Sequence, residues 1–173
     1  MTQHLATSLL AFVLAQAPAQ APEPSRATLD AVRTWIAAFG EKDLEKLRAA
    51  SLLPFTLVTD QKRKRCDATT KDDKAFKSTL KCLSSKEKGL VNGFQHLDEV
   101  VLEGAEPKGT PPVTKQESSS RKLVGRLGNA QGQTTVEGYL NGDGETFDFV
   151  FAVRPEGAGV LVTGLALHSE GVE

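Results

Sequence analysis

SRATLDAVRTWIAAFGEKDLEKLRAASLLPFTLV, residues 25–58, reads as helix, turn, second helix and strand, and that order decides the fold. Leu29, Val32, Ile36 and Phe39 recur at intervals of three and four, which places them on one helical stripe, widened by Trp35. Ser25 or Thr28 can cap the start, because a short hydroxyl accepts a hydrogen bond from an unpaired first-turn amide. Gly40 is expected to end the helix, since glycine tolerates the left-handed backbone that helix ends often need. Asp43 then offers a cap for a shorter helix carrying Leu44 and Leu47. Pro54 is expected to stop that helix, and Phe55 to Val58 resume as a β-rich run.

Working outward, the 173 residues are 39% hydrophobic, enough for one domain with a substantial core. Twenty-one basic and 22 acidic residues leave a net charge of −1, so no global field favours nucleic acid or an anionic membrane. Beyond the N-terminal segment no run of about 18 apolar residues occurs, so no membrane span is expected in the mature chain.

Residues 1–24 stand apart from this core. Leu9 to Ala15 is a short apolar run, and Val13-Leu14-Ala15 and Ala17-Pro18-Ala19 both fit a signal-peptidase site. The expected organisation is a signal peptide at 1–19, a disordered spacer at 20–26 and one α+β domain at 27–170. The mature chain would begin near Gln16 or Gln20, and the protein would be exported to a periplasm or the cell exterior. One feature disagrees, for His4 is the only basic side chain ahead of the apolar run. A disordered tail is the competing reading. No cysteine adjoins the cleavage sites, which argues against a lipid anchor.

The two cysteines, Cys66 and Cys82, are expected to form a disulfide in an oxidising compartment. Closing a loop of about 15 residues stabilises by about 3 kcal/mol in the chain-entropy view. A metal site is not expected, because two thiolates need two further ligands and no histidine lies nearby. Between the cysteines, Asp72 or Asp73 caps a helix carrying Phe76, Leu80 and Leu83. Ser84 and Glu87 match a capping box, so a further turn is expected with Leu90, Val91 and Phe94. The basic run Lys62-Arg63-Lys64-Arg65 reads as a solvated hairpin end, since no aromatic side chain interleaves it for base stacking.

From residue 95 the period changes to two. His96 to Glu103 is expected to contain a strand, and 104–121, with its prolines and polar tail, a mobile loop. Lys122–Leu127 and Gln133–Leu140 read as a hairpin around Gly128–Gly132. Asn141-Gly142-Asp143-Gly144 signals a second tight turn. The next strand, Thr146–Arg154, places Phe147, Phe149, Phe151 and Val153 on one face and Asp148 on the solvated one. Val160–His168 is apolar on both faces and is expected to be a central or well-covered strand.

The expected fold is α+β, with N-terminal helices packed on a curved antiparallel sheet of about four to five strands. Val32, Trp35, Ile36, Phe39, Lys42-Asp43-Leu44, Leu47 and Leu53-Pro54-Phe55, followed by the strand meander, resemble the nuclear-transport-factor-two-like superfamily. That resemblance covers about residues 27–168 and implies a cystatin-like cone whose pocket serves catalysis in some members and binding or dimerisation in others. Isomerase-like members use a carboxylate base with a Tyr and a protonated Asp as oxyanion donors. Tyr139, Asp60, Asp98 and Asp148 do not align as such a set, so no catalytic residue is carried over.

His96 and His168 are read as exposed strand-end residues. No phosphate-binding loop, nucleophile elbow, zinc-protease or dinucleotide motif is present. No cofactor is expected, and the ligand-binding residues are not specified. The expected function is non-catalytic binding of a small apolar ligand or a protein partner, with a homodimer through the sheet as one option. An isomerase, cyclase or dehydratase acting in the cone pocket, and a structural envelope module, are the alternatives.

Overall fold

A computed structural model describes residues 24–59, 66–102, 125–128 and 132–171. The expected signal segment, the 62–65 basic run, Asp60 and the 104–121 loop lie outside these. Helices α1 (Arg26–Gly40) and α2 (Leu44–Ala49) lead into strand β1 (Ser51–Thr59) and short β2 (Ala68–Thr70). Helices α3 (Asp73–Lys86) and α4 (Lys88–Phe94) follow, then β3 (Val101–Leu102), β4 (Thr134–Gly142), β5 (Glu145–Glu156) and β6 (Gly159–Gly171).

The strands form one six-stranded sheet in the order β2-β1-β6-β5-β4-β3. It is mixed rather than antiparallel and has more strands than expected, because β1 lies parallel to β6 while the other pairs are antiparallel. β6 pairs through its backbone on both edges, with β5 on one and β1 on the other. The register shifts between Ser51 and Thr56 and between Ala152 and Val153, and such irregularities bend a strand. Pro54 sits inside the first of them, with a cis Leu53–Pro54 bond. It does not stop α2, which already ends at Ala49. Lacking an N–H, proline fits a strand where the ladder is interrupted.

The α1 stripe and the β5 phenylalanines meet as the two largest apolar surfaces. Trp35 stacks on Phe39 at 5.4 Å and meets Phe151 edge-on at 5.2 Å. Phe151 meets Phe149 at 5.5 Å, Phe149 meets Phe94 at 5.5 Å, and Phe94 returns to Phe39 at 5.9 Å. These five rings close a circuit, and Phe55 and Phe76 extend it from Trp35. Offset and edge-on pairs of this kind add about 0.5–1.5 kcal/mol beyond burial.

The helix caps expected at Ser25 or Thr28 and at Asp72 or Asp73 resolve to Ser25 and Asp72, while two other local expectations change. Ser25 is the α1 cap, accepting from the Thr28 amide at 3.2 Å. Gly40 does not supply the left-handed residue: Lys42 does, with φ 57°. The Asp43 amide donates to the Ala38 carbonyl and the Lys42 amide to that of Phe39, a pairing that commonly closes a helix around a left-handed residue. Gly40 is needed for packing instead, because a Cβ there would lie 2.7 Å from the Phe94 carbonyl oxygen of α4. Asp72 caps α3 through the Ala75 amide. The Ser84–Glu87 capping box does not form: α3 runs on to Lys86, and the Ser84 hydroxyl donates to the Lys81 carbonyl.

Of the strand expected from 96 to 103, the described residues 96–102 form strand at Val101 and Leu102 alone, and the His96 amide donates to the Gly93 carbonyl in a turn. Of the expected 122–127 strand, 122–124 lie outside the described residues and 125–127 make one helical turn, while β3 takes the place beside β4. Leu127 packs instead on the outer face of the sheet with Val58, Val150, Ala152 and Ala166. That face is apolar at its centre and needs cover, which the helical turn supplies. The Arg126 guanidinium holds the turn by donating to the Asp67 carboxylate at 2.7 Å.

Candidate functional site

Three regions of the described chain are candidates: the interior of the curved sheet, a row of polar residues on its outer face, and a cleft among the helices.

The interior is filled. Trp35 and seven phenylalanines, Phe39, Phe55, Phe76, Phe94, Phe147, Phe149 and Phe151, are fully buried there. The Trp35 indole donates to the Ser51 hydroxyl at 2.9 Å, and Ser51 in turn donates to the Leu47 carbonyl at 2.7 Å. Among the described residues no buried side-chain polar atom is left without a partner.

The outer face carries a row that sequence reading missed. Tyr139 of β4 stands opposite Asp148 of β5, which stands opposite His168 of β6. All three are half-buried. Asp148 does point away from the phenylalanine face, as its alternation requires, but it is flanked on both sides rather than simply solvated. His168 lies within β6 rather than at its end. These residues are distant in sequence, so only strand pairing could have brought them together. The row lies on the opposite side of the sheet from the aromatic interior.

Asp67, beside the outer face, is held by three donors. Burial pushes its carboxyl upward, but the Thr59 hydroxyl at 2.7 Å, the Thr59 amide at 2.8 Å and Arg126 together pull it below its ordinary value.

The cleft lies between α1, α2 and α3 and measures about 200 Å³. Phe39, Leu47 and Leu80 close its floor, Leu44 stands half-buried at one side, and Lys42, Lys81 and Ser84 form the rim. Sequence periodicity marked Leu44, Leu47 and Leu80 as core. It could not show that two helices distant in the chain leave a gap between them. Shallower depressions of about 520 and 510 Å³ open along α3 and beside the β4–β5 turn.

Cys66 and Cys82 form a disulfide with Cα atoms 5.9 Å apart, tying the chain before β2 to α3. Among the described residues no three His, Cys, Asp or Glu side chains cluster to hold a metal. No described helix is long and apolar enough to cross a membrane.

No family model and no curated protein matches the chain. Among solved structures it is similar to an NTF2-like protein from Burkholderia xenovorans LB400, at 14% identity and a TM-score of 0.41, covering 86% of this chain and 93% of that one. AusH from Aspergillus nidulans is also similar, at 14% identity and a TM-score of 0.36, covering 88% and 89%. Both are likenesses in overall fold.

Proposed function

We propose that this chain is an exported domain that acts by non-catalytic binding, using its surface rather than the interior of its cone. The observation that carries the reading is the closed circuit of five aromatic rings where a substrate would otherwise lie. A packed interior with satisfied polar groups stabilises a scaffold and offers no water-excluded site for general acid–base chemistry. The apolar segment with its small-residue triplets supports export, and the Cys66–Cys82 bond is consistent with it.

The enzyme alternative rests on one specific observation, the Tyr139–Asp148–His168 row. Complementation of a deletion strain separates the two readings. Tyr139→Phe, Asp148→Asn and His168→Gln together preserve function if the domain binds through a surface other than this row. Loss of function in a variant that keeps both its fold and its binding of the wild-type's ligand or partner means that the row performs chemistry.

A further inference from the structure

The helical cleft combines an apolar floor with a cationic rim, and several neighbouring charges are already paired. Lys46 pairs with Glu41 and Asp43, Lys77 with Glu45, and Arg48 with Asp73. Among the described residues neither Lys42 nor Lys81 has a carboxylate within ion-pair distance. Two ammonium groups thus stand unmatched beside a recess whose floor is Phe39, Leu47 and Leu80. Their methylene stems add apolar wall, since lysine keeps its charge in water while its chain lies on apolar surface.

Lys42 adds an independent observation. Its φ of 57° is the left-handed conformation that glycine fills most easily at a helix end. A lysine there is backbone-strained, and what it adds over glycine is a cation at the cleft.

From this geometry we infer that the cleft binds a small amphipathic anion, a carboxylate on an unbranched aliphatic chain of about six to eight carbons. The inference rests on the binding reading above and gives it a ligand class. Charge complementarity selects the carboxylate, and size selects the chain. The cleft has the volume of about seven water molecules. Sites for larger, drug-sized ligands run to about 300–1,000 Å³.

The test is methyl NMR of the folded, disulfide-bonded mature chain titrated with octanoate, and with octanol and octylammonium as neutral and cationic isosteres. Octanoate is expected to shift the Leu44 and Leu80 methyls saturably. Each ammonium should contribute about two- to fivefold, the scale of an exposed ion pair, so octanoate should bind at least about fourfold more tightly than octanol. Lys81→Gln and Lys42→Gly should each weaken octanoate about two- to fivefold. Lys42→Gly should also melt at the same temperature or higher, because glycine relieves the left-handed backbone, so a binding loss there is not a folding loss. Equal affinity for octanol and octanoate would overturn the inference, as would unchanged binding in both lysine variants. Shifts confined to other methyls, or a dimer in sedimentation that seals the cleft against octanoate, would do the same. Export and turnover are read by separate experiments. A silent cleft in an exported, non-enzymatic chain therefore refutes the ligand and not the binding reading.

Discussion

Replacing Phe149 with Ala tests the packing of the interior and the register of β5 together. Phe149 is fully buried and makes edge contacts at 5.5 Å with both Phe94 and Phe151. Burying such a ring contributes about 1.5–3 kcal/mol, and its two aromatic pairs about 0.5–1.5 kcal/mol each. The cavity left between α4 and β5 cannot collapse freely, since rings bound it on two sides. A loss of about 3–5 kcal/mol is expected, within the range measured for such truncations. Against a total stability of about 5–15 kcal/mol for a domain, the variant should still fold but be marginal. Urea unfolding followed by tryptophan fluorescence reads the change. Trp35, the chain's one tryptophan, stacks in the same circuit. With a slope of about 2 kcal/mol per molar, the midpoint should fall by about 2 M at unchanged slope. Asp148→Ala, on the opposite face, should cost less than about 1 kcal/mol. If Asp148→Ala unfolds the protein while Phe149→Ala is tolerated, the faces are exchanged by a one-residue slip and the reasoning fails.

Further outcomes are expected from other parts of the fold. Reducing Cys66–Cys82 should cost about 3 kcal/mol and lower the melting temperature by roughly 6–12 °C; a melting curve indifferent to reductant would contradict this. Gly40→Ala should destabilise by about 1–3 kcal/mol, because its Cβ would meet the α4 backbone at 2.7 Å, which no rotamer change relieves. The lowered Asp67 carboxyl contributes stability that is fully present above its ordinary value of 3.8 and is lost as pH falls from there through the lower folded value. Acid titration of Asp67→Asn should therefore lack that part of the wild-type loss. N-terminal sequencing of the exported form should begin near Gln16 or Gln20, and Met1 retained on a cytoplasmic protein would sink the export reading.

What the sequence made legible was whatever repeats with a period. Leu29, Val32, Ile36 and Phe39 announce a helix face, and Phe147, Phe149 and Phe151 announce a strand face. Since these are the largest apolar surfaces, each had to cover the other. Direction and partner of strands were not legible, because β1 and β6 are distant in sequence and no local pattern marks them as neighbours. Gly40 misled because glycine serves two needs, left-handed backbone and close approach, and here close approach governs. Leu127 misled in another way: its apolar neighbours sit on three different strands, so its role as a cover is invisible locally. The Tyr139–Asp148–His168 row and the Lys42–Lys81 cleft share that difficulty. Each is assembled from elements distant in sequence, and neither carries a local motif.

Xenon under pressure finds apolar cavities that water leaves empty. A diffraction map of xenon-treated crystals therefore asks directly whether the cone is filled. A filled interior gives no xenon density among Trp35, Phe94, Phe149 and Phe151. An ordered xenon atom inside that circuit would show a cavity where a substrate or ligand could bind, and would contradict the assignment of function to the surface.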